Sequence, residues 1–164
     1  MRSDETGLSI AAEPTDPDVE LSDPAQRQEL RRSHYGVLMV IALGGALGAV
    51  ARFAASQVWP TAANSFPFTT LAVNAVGCLV IGVFLVAVTE IFSAHPLLRP
   101  FFGTGVLGGF TTFSTYCVDI ERLVTNERAG IALIYLAATA LAAVAAVTLG
   151  AFSTRRILAK RSES

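Results

Sequence analysis

Apolar residues gather into four long stretches, residues 35–57, 68–92, 101–124 and 130–152, with short polar punctuation between them. Each is long enough for the roughly 20 residues that a bilayer's hydrocarbon core demands of a helix. Pro60 and Pro67 interrupt the first connection, and Pro96 and Pro100 the second. The third connection carries Glu121, Arg122, Glu127 and Arg128. Connections this short predict one compact antiparallel bundle, an all-α membrane protein with four transmembrane helices.

The third stretch is unlike the others. Residues 103–119 read GTGVLGGFTTFSTYCVD. Phe101, Phe102, Val106, Leu107, Phe110 and Phe113 keep it apolar, while Gly103, Gly105, Gly108 and Gly109 loosen the backbone and Thr111, Thr112, Ser114 and Thr115 add hydroxyls. Broken backbone at membrane depth survives only where it is buried in protein or lines a watery path. The expectation is a third helix broken at Gly108 and Gly109, releasing carbonyls that can hold a cation. Phe110, Phe113 and Tyr116 recur every third residue, and the positive edges of such rings can receive an anion.

Composition agrees with a membrane chain: 52% of the 164 residues are hydrophobic and 15% charged. Residues 1–34 are polar and lack both an apolar period and the core of a signal peptide, so they read as a disordered tail. Residues 35–154 then form the membrane domain, and residues 155–164 a basic tail. With four spans, the termini and the second connection share one side. That side carries Arg27, Arg31, Arg32, Arg99, Arg155, Arg156, Lys160 and Arg161, against Arg122 and Arg128 opposite. Such a bias predicts cytoplasmic termini.

Two polar residues inside spans need partners. Arg52 either snorkels to the interface or faces an aqueous vestibule that attracts anions. Asn74 either bonds a neighbouring helix or offers its NH₂ group to a small anion. Gly44, Gly45, Gly48, Gly77 and Gly82 permit close helix contact, and the Ala-rich run 137–146 suits an interface helix. Cys78 and Cys117 read as small hydrophobes, and His34 and His95 as solvated residues near span ends. No nucleophile–base constellation, phosphate loop or metal-ligand cluster is present, so no enzyme activity is expected. Nor is a nucleic-acid partner.

Three segments together resemble the Fluc (CrcB-type) fluoride channels of bacteria: GGALGAVARF at 44–53, TLAVNAVGCLVIG at 70–82 and GVLGGFTTFSTYCVD at 105–119. The resemblance covers residues 36–152. It implies a multi-pass subunit of the bacterial cell membrane that pairs antiparallel and lowers cytoplasmic fluoride by passive export. It implies a structural sodium ion at the dimer centre, held by the backbone carbonyls of Gly108 and Thr111 of each subunit. It also implies a fluoride path along Asn74, Phe113, Ser114, Thr115 and Tyr116, extended by Tyr135 and Thr139, with Arg52 near a vestibule. Fluoride is strongly hydrated, so desolvating it takes several donors placed close together, without a fixed cation that would hold it too long.

The chain departs from the family pattern twice. Tyr116 stands where the family usually has Phe, and Asp119 where it often has Glu. The Lys/Arg bias also opposes insertion in both orientations, which favours an antiparallel heterodimer with a related subunit over a homodimer. Two alternatives stand beside the channel reading. One is a non-conducting partner subunit. The other is a small multidrug transporter, which would need a membrane-embedded carboxylate that the first span lacks.

Overall fold

The computed structural model describes residues 24–62, 65–90 and 96–162, with side chains left out at 24–34, 90 and 161–162. The chain divides into a leading unit, Met1–Tyr35, and a main unit, Gly36–Ser164. Of the leading unit, residues 24–35 are described, and they are helical. The described residues form helices and no strand: α1 (Pro24–Val58), α2 (Phe68–Glu90), a π-helical run (Arg99–Leu107), the short α3 (Gly108–Phe110), α4 (Ser114–Thr125) and α5 (Ala129–Ser162).

Three of these are long and apolar enough to cross a membrane: residues Tyr35–Val58, Phe68–Thr89 and Ala129–Lys160. The third apolar stretch is not one of them, because it is divided into the π-helical run, α3 and α4. Four apolar stretches thus give three uninterrupted helices and one broken segment.

Two boundaries differ from expectation. α1 begins at Pro24, inside the stretch read as a disordered tail. Proline is well placed at a helix start, and the Gln, Glu, Leu and Arg residues that follow are strong helix formers needing no apolar period. α5 likewise runs through Ser162, so the basic tail from Arg155 is its last turns. His95 lies outside the described residues, as does the end of the second stretch beyond Glu90.

Backbone contact between small residues holds the main unit together. A Cβ on Gly48 would sit 2.1 Å from the Val106 carbonyl, and one on Gly109 2.3 Å from that of Gly45. The glycines of α1 therefore let the broken segment lie directly against it, a contact that any larger side chain would prevent. α2 and α5 meet in the same way at Gly82 and Gly150. The buried core is small: Leu123, Ala132 and Tyr135 pack with Phe66, Leu71, Tyr116, Ile120 and Ile131. Many large apolar side chains point outward instead, among them Leu47, Val50 and Phe53 on α1 and Leu141, Val144 and Leu149 on α5.

Candidate ion-handling site

The backbone leaves helical geometry one turn later than the glycines suggest. Gly108 is helical, with φ −65° and ψ −35°, whereas Thr111 is extended, with φ −74° and ψ 155°. The interruption is Thr111–Thr112–Phe113 rather than Gly108–Gly109. Gly109 serves the contact with α1 described above, so its missing side chain reports packing and not a bend.

Asn74, buried on α2, holds the interruption open. Its Nδ2 donates to the Thr112 carbonyl at 2.9 Å, and its Oδ1 accepts from the Thr112 N–H at 2.8 Å. The Asn74 amide therefore bridges two elements and uses one of its two N–H groups to do so. Thr112 caps the following helix: its Oγ1 accepts the Thr115 N–H at 3.1 Å and donates to the Thr115 hydroxyl at 3.0 Å. Gly77, one turn along α2, makes room for the methyl of Thr111 and the ring of Phe110.

Two recesses flank the break. The larger, about 380 Å³, is lined by Asn74, Thr111, Thr112, Phe113, Tyr116 and Thr139, with Cys78, Ile81, Ala140 and Ala143 as apolar walls. No cationic side chain faces it. Thr139 Oγ1 is buried there and closes no hydrogen bond among the described residues. The smaller, about 40 Å³, is lined by Arg52, Ser56, Thr69, Thr70, Val73, Thr112 and Thr115. Thr112 belongs to both.

Arg52 is half-buried, and its Nε donates to the Gly109 carbonyl at 3.2 Å. It pairs with the broken segment rather than simply snorkelling. Phe113 is 77% exposed on the single chain and its ring centroid lies 5.8 Å from that of Tyr116. The Tyr116 ring in turn lies tilted against that of Tyr135, centroids 5.3 Å apart, and its hydroxyl donates to the Leu136 carbonyl at 3.1 Å.

The expected path residues therefore separate. Asn74, Phe113, Tyr116 and Thr139 share the larger recess; Arg52 and Thr115 border the smaller. Ser114 is exposed, its Oγ 3.3 Å from that of Thr112, and lines neither. Tyr135 is fully buried beneath them. Its hydroxyl donates to Asp119 Oδ2 at 3.3 Å, where the Thr70 hydroxyl also donates at 2.7 Å. Of the two cysteines, Cys78 lines the recess as a small apolar residue, but Cys117 is exposed and fills no core.

Sequence reasoning missed Thr70, Ser56 and Thr69, and named Thr112 only as one of the hydroxyls of the third stretch. The clue to the first was spacing, since Thr70, Asn74 and Cys78 form an i, i+4 row on α2.

Among the described residues no group of His, Cys, Asp and Glu is placed to hold a metal ion. Carbonyl oxygens are the hard donors on offer, and the break supplies them. The amide that would close a helical turn on Gly108 is that of Thr112, which donates to Asn74 instead. The amide that would close a turn on Thr111 is that of Thr115, which donates to Thr112 Oγ1. Both carbonyls expected to face a cation thus lack their usual helical donors.

A family model described as CrcB-like protein, Camphor Resistance (CrcB), matches residues 39–151. A Streptomyces coelicolor protein named fluoride-specific ion channel FluC 1 is 61% identical over 127 residues, covering 77% of this chain and 82% of its own length. A Streptomyces avermitilis protein named fluoride-specific ion channel FluC 2 is 54% identical over 124 residues, 76% of this chain and 78% of its own. A Nocardia farcinica protein, also named FluC 2, is 50% identical over 119 residues, 73% of this chain and 85% of its own. With a match that spans the broken segment and the helices around it, the chain belongs to the CrcB-like family.

Proposed function

We propose that this chain is a subunit of a fluoride-specific ion channel that lets fluoride leave the cytoplasm passively. One observation carries the reading beyond the names of the relatives: the larger recess combines hydroxyls, an amide and two aromatic rings, with no cationic side chain among its lining. Donors of this kind replace the water of a small, strongly hydrated anion, and ring edges add a weak positive potential. Without a fixed cation the ion leaves as readily as it enters. Fluoride-electrode recordings of efflux from liposomes holding this chain together with its paired subunit test this. Rapid fluoride release, abolished by Phe113→Ile, is the expected result. Chloride release at the same rate would refute it.

The broken third stretch completes a fourth membrane crossing, and the termini lie in the cytoplasm of a bacterial cell, multi-pass in its plasma membrane. The channel is an antiparallel dimer. The Lys/Arg bias supports pairing with a related subunit of opposite bias rather than with a second copy. Liposomes containing this chain alone should then leak fluoride poorly, and adding the paired subunit should restore flux. A structural sodium ion sits against the Gly108 and Thr111 carbonyls, where it neutralises the oxygen dipoles that the break exposes. Tyr116 belongs to the conducting path rather than serving a merely structural role, since it lines the recess while its hydroxyl is engaged by Leu136.

A further inference from the structure

Two side chains take over the work of two carbonyls at the break. In an unbroken helix the Thr112 N–H would bond Gly108, and the Thr115 N–H would bond Thr111. Instead Asn74 Oδ1 takes the first at 2.8 Å and Thr112 Oγ1 the second at 3.1 Å. Each substituted acceptor relieves one carbonyl of its helical donor, and the two relieved carbonyls are the pair assigned above to sodium. Asn74 also lines the recess assigned to the anion, so one amide reaches both sites.

We infer that Asn74 and Thr112 are positioning residues for the cation: their side-chain oxygens occupy the amides that would otherwise close over the Gly108 and Thr111 carbonyls. The inference rests on the sodium reading. It extends that reading by naming what keeps the carbonyls available, and by coupling the cation to Asn74 in the anion recess. Without the Thr112 hydroxyl, the Thr115 amide falls back onto Thr111. Without the Asn74 amide, the Thr112 amide falls back onto Gly108. In each case a helical bond competes with the ion for its ligand.

Thermal unfolding of the dimer, this full-length chain with its paired subunit, in detergent, titrated with sodium chloride against N-methylglucamine chloride at constant ionic strength, tests this without measuring flux. Sodium should raise the unfolding temperature of the wild type. Thr112→Val, which keeps the shape and loses the acceptor, should raise the half-maximal sodium concentration on the order of 10- to 100-fold, as substitutions behind metal ligands do. Asn74→Ala, titrated in parallel, should do the same, so either variant alone decides the matter should the other not fold. Thr112→Ser, which keeps the acceptor, should stay near the wild type. A wild-type sodium response that survives unchanged in Thr112→Val or Asn74→Ala overturns the positioning role alone. A wild type indifferent to sodium overturns the sodium reading and this inference with it.

Discussion

The Tyr116 hydroxyl donates to the carbonyl of Leu136 on α5 at 3.1 Å, so the oxygen that distinguishes this residue from phenylalanine is held by the neighbouring helix. The ring, not the hydroxyl, is what Tyr116 offers to the recess beside Phe113.

Tyr116→Phe should therefore leave fluoride efflux within a few-fold of the wild type. Stability should fall by about 0.5–1.5 kcal/mol, the ordinary worth of one hydrogen bond. Efflux recordings and thermal unfolding on the same preparation check both. A tenfold rise in flux would show that the hydroxyl obstructs the path.

Glycine at the crossing of α1 with the broken segment has no room for a methyl group. Gly109→Ala places a Cβ 2.3 Å from the Gly45 carbonyl, a backbone atom that cannot swing aside. The expected cost is about 1–3 kcal/mol or more, the usual penalty of overpacking. Gly130→Ala is the control, because nothing lies within 4 Å of its Cβ position. It should be neutral or stabilising by roughly 0.5–1 kcal/mol, the gain of alanine over glycine in a helix. Yield of monodisperse protein and its unfolding temperature separate the two.

These contacts also explain what was legible in the sequence. The apolar stretches were plain because a bilayer demands length and hydropathy, both local properties. The position of the break was not. Gly108 and Gly109 looked like its cause, yet Gly109 answers to Gly45 on α1, far away in sequence, and the extended Thr111 is followed by a Thr112 held by Asn74 on another helix. Both causes are tertiary. The helix between Pro24 and His34 was missed for the opposite reason. It is local, but its signal is propensity rather than hydrophobic period.

Glu127 adopts φ 60° in the turn between α4 and α5. The Arg128 N–H bonds the Leu123 carbonyl at 2.8 Å and the Glu127 N–H that of Val124 at 3.0 Å. This is the Schellman arrangement, which favours glycine at the left-handed position. Glu127→Gly should stabilise the chain by about 1 kcal/mol, since a left-handed side-chain residue costs roughly 1–2 kcal/mol. A rise in unfolding temperature with unchanged flux is expected, and a fall would mean that the Glu127 side chain makes a stabilising contact.

Asp119 gathers two hydroxyls on one oxygen, those of Thr70 at 2.7 Å and Tyr135 at 3.3 Å. Tyr135 is fully buried, so it has no water to turn to when the carboxylate is removed. Asp119→Ala should cost about 1–3 kcal/mol for each hydroxyl left unsatisfied. Adding Tyr135→Phe should recover part of that loss, because a buried ring without a hydroxyl needs no partner. A double-mutant cycle by thermal unfolding measures the coupling. Strict additivity would show that the Tyr135–Asp119 bond contributes nothing.

Thr139 separates structural from ionic roles most cleanly. Its hydroxyl is buried in the larger recess and closes no hydrogen bond among the described residues. An unsatisfied buried hydroxyl costs free energy, and replacing it by an apolar group of the same shape is close to neutral or stabilising. Thr139→Val should thus leave the unfolding temperature unchanged or higher. If the hydroxyl helps replace fluoride's water, the same substitution should slow efflux about tenfold for each 1.4 kcal/mol of lost interaction. Stability and flux would then move in opposite directions, which a packing residue does not do. Unchanged efflux from Thr139→Val liposomes would remove Thr139 from the path and confine it to the helix interface.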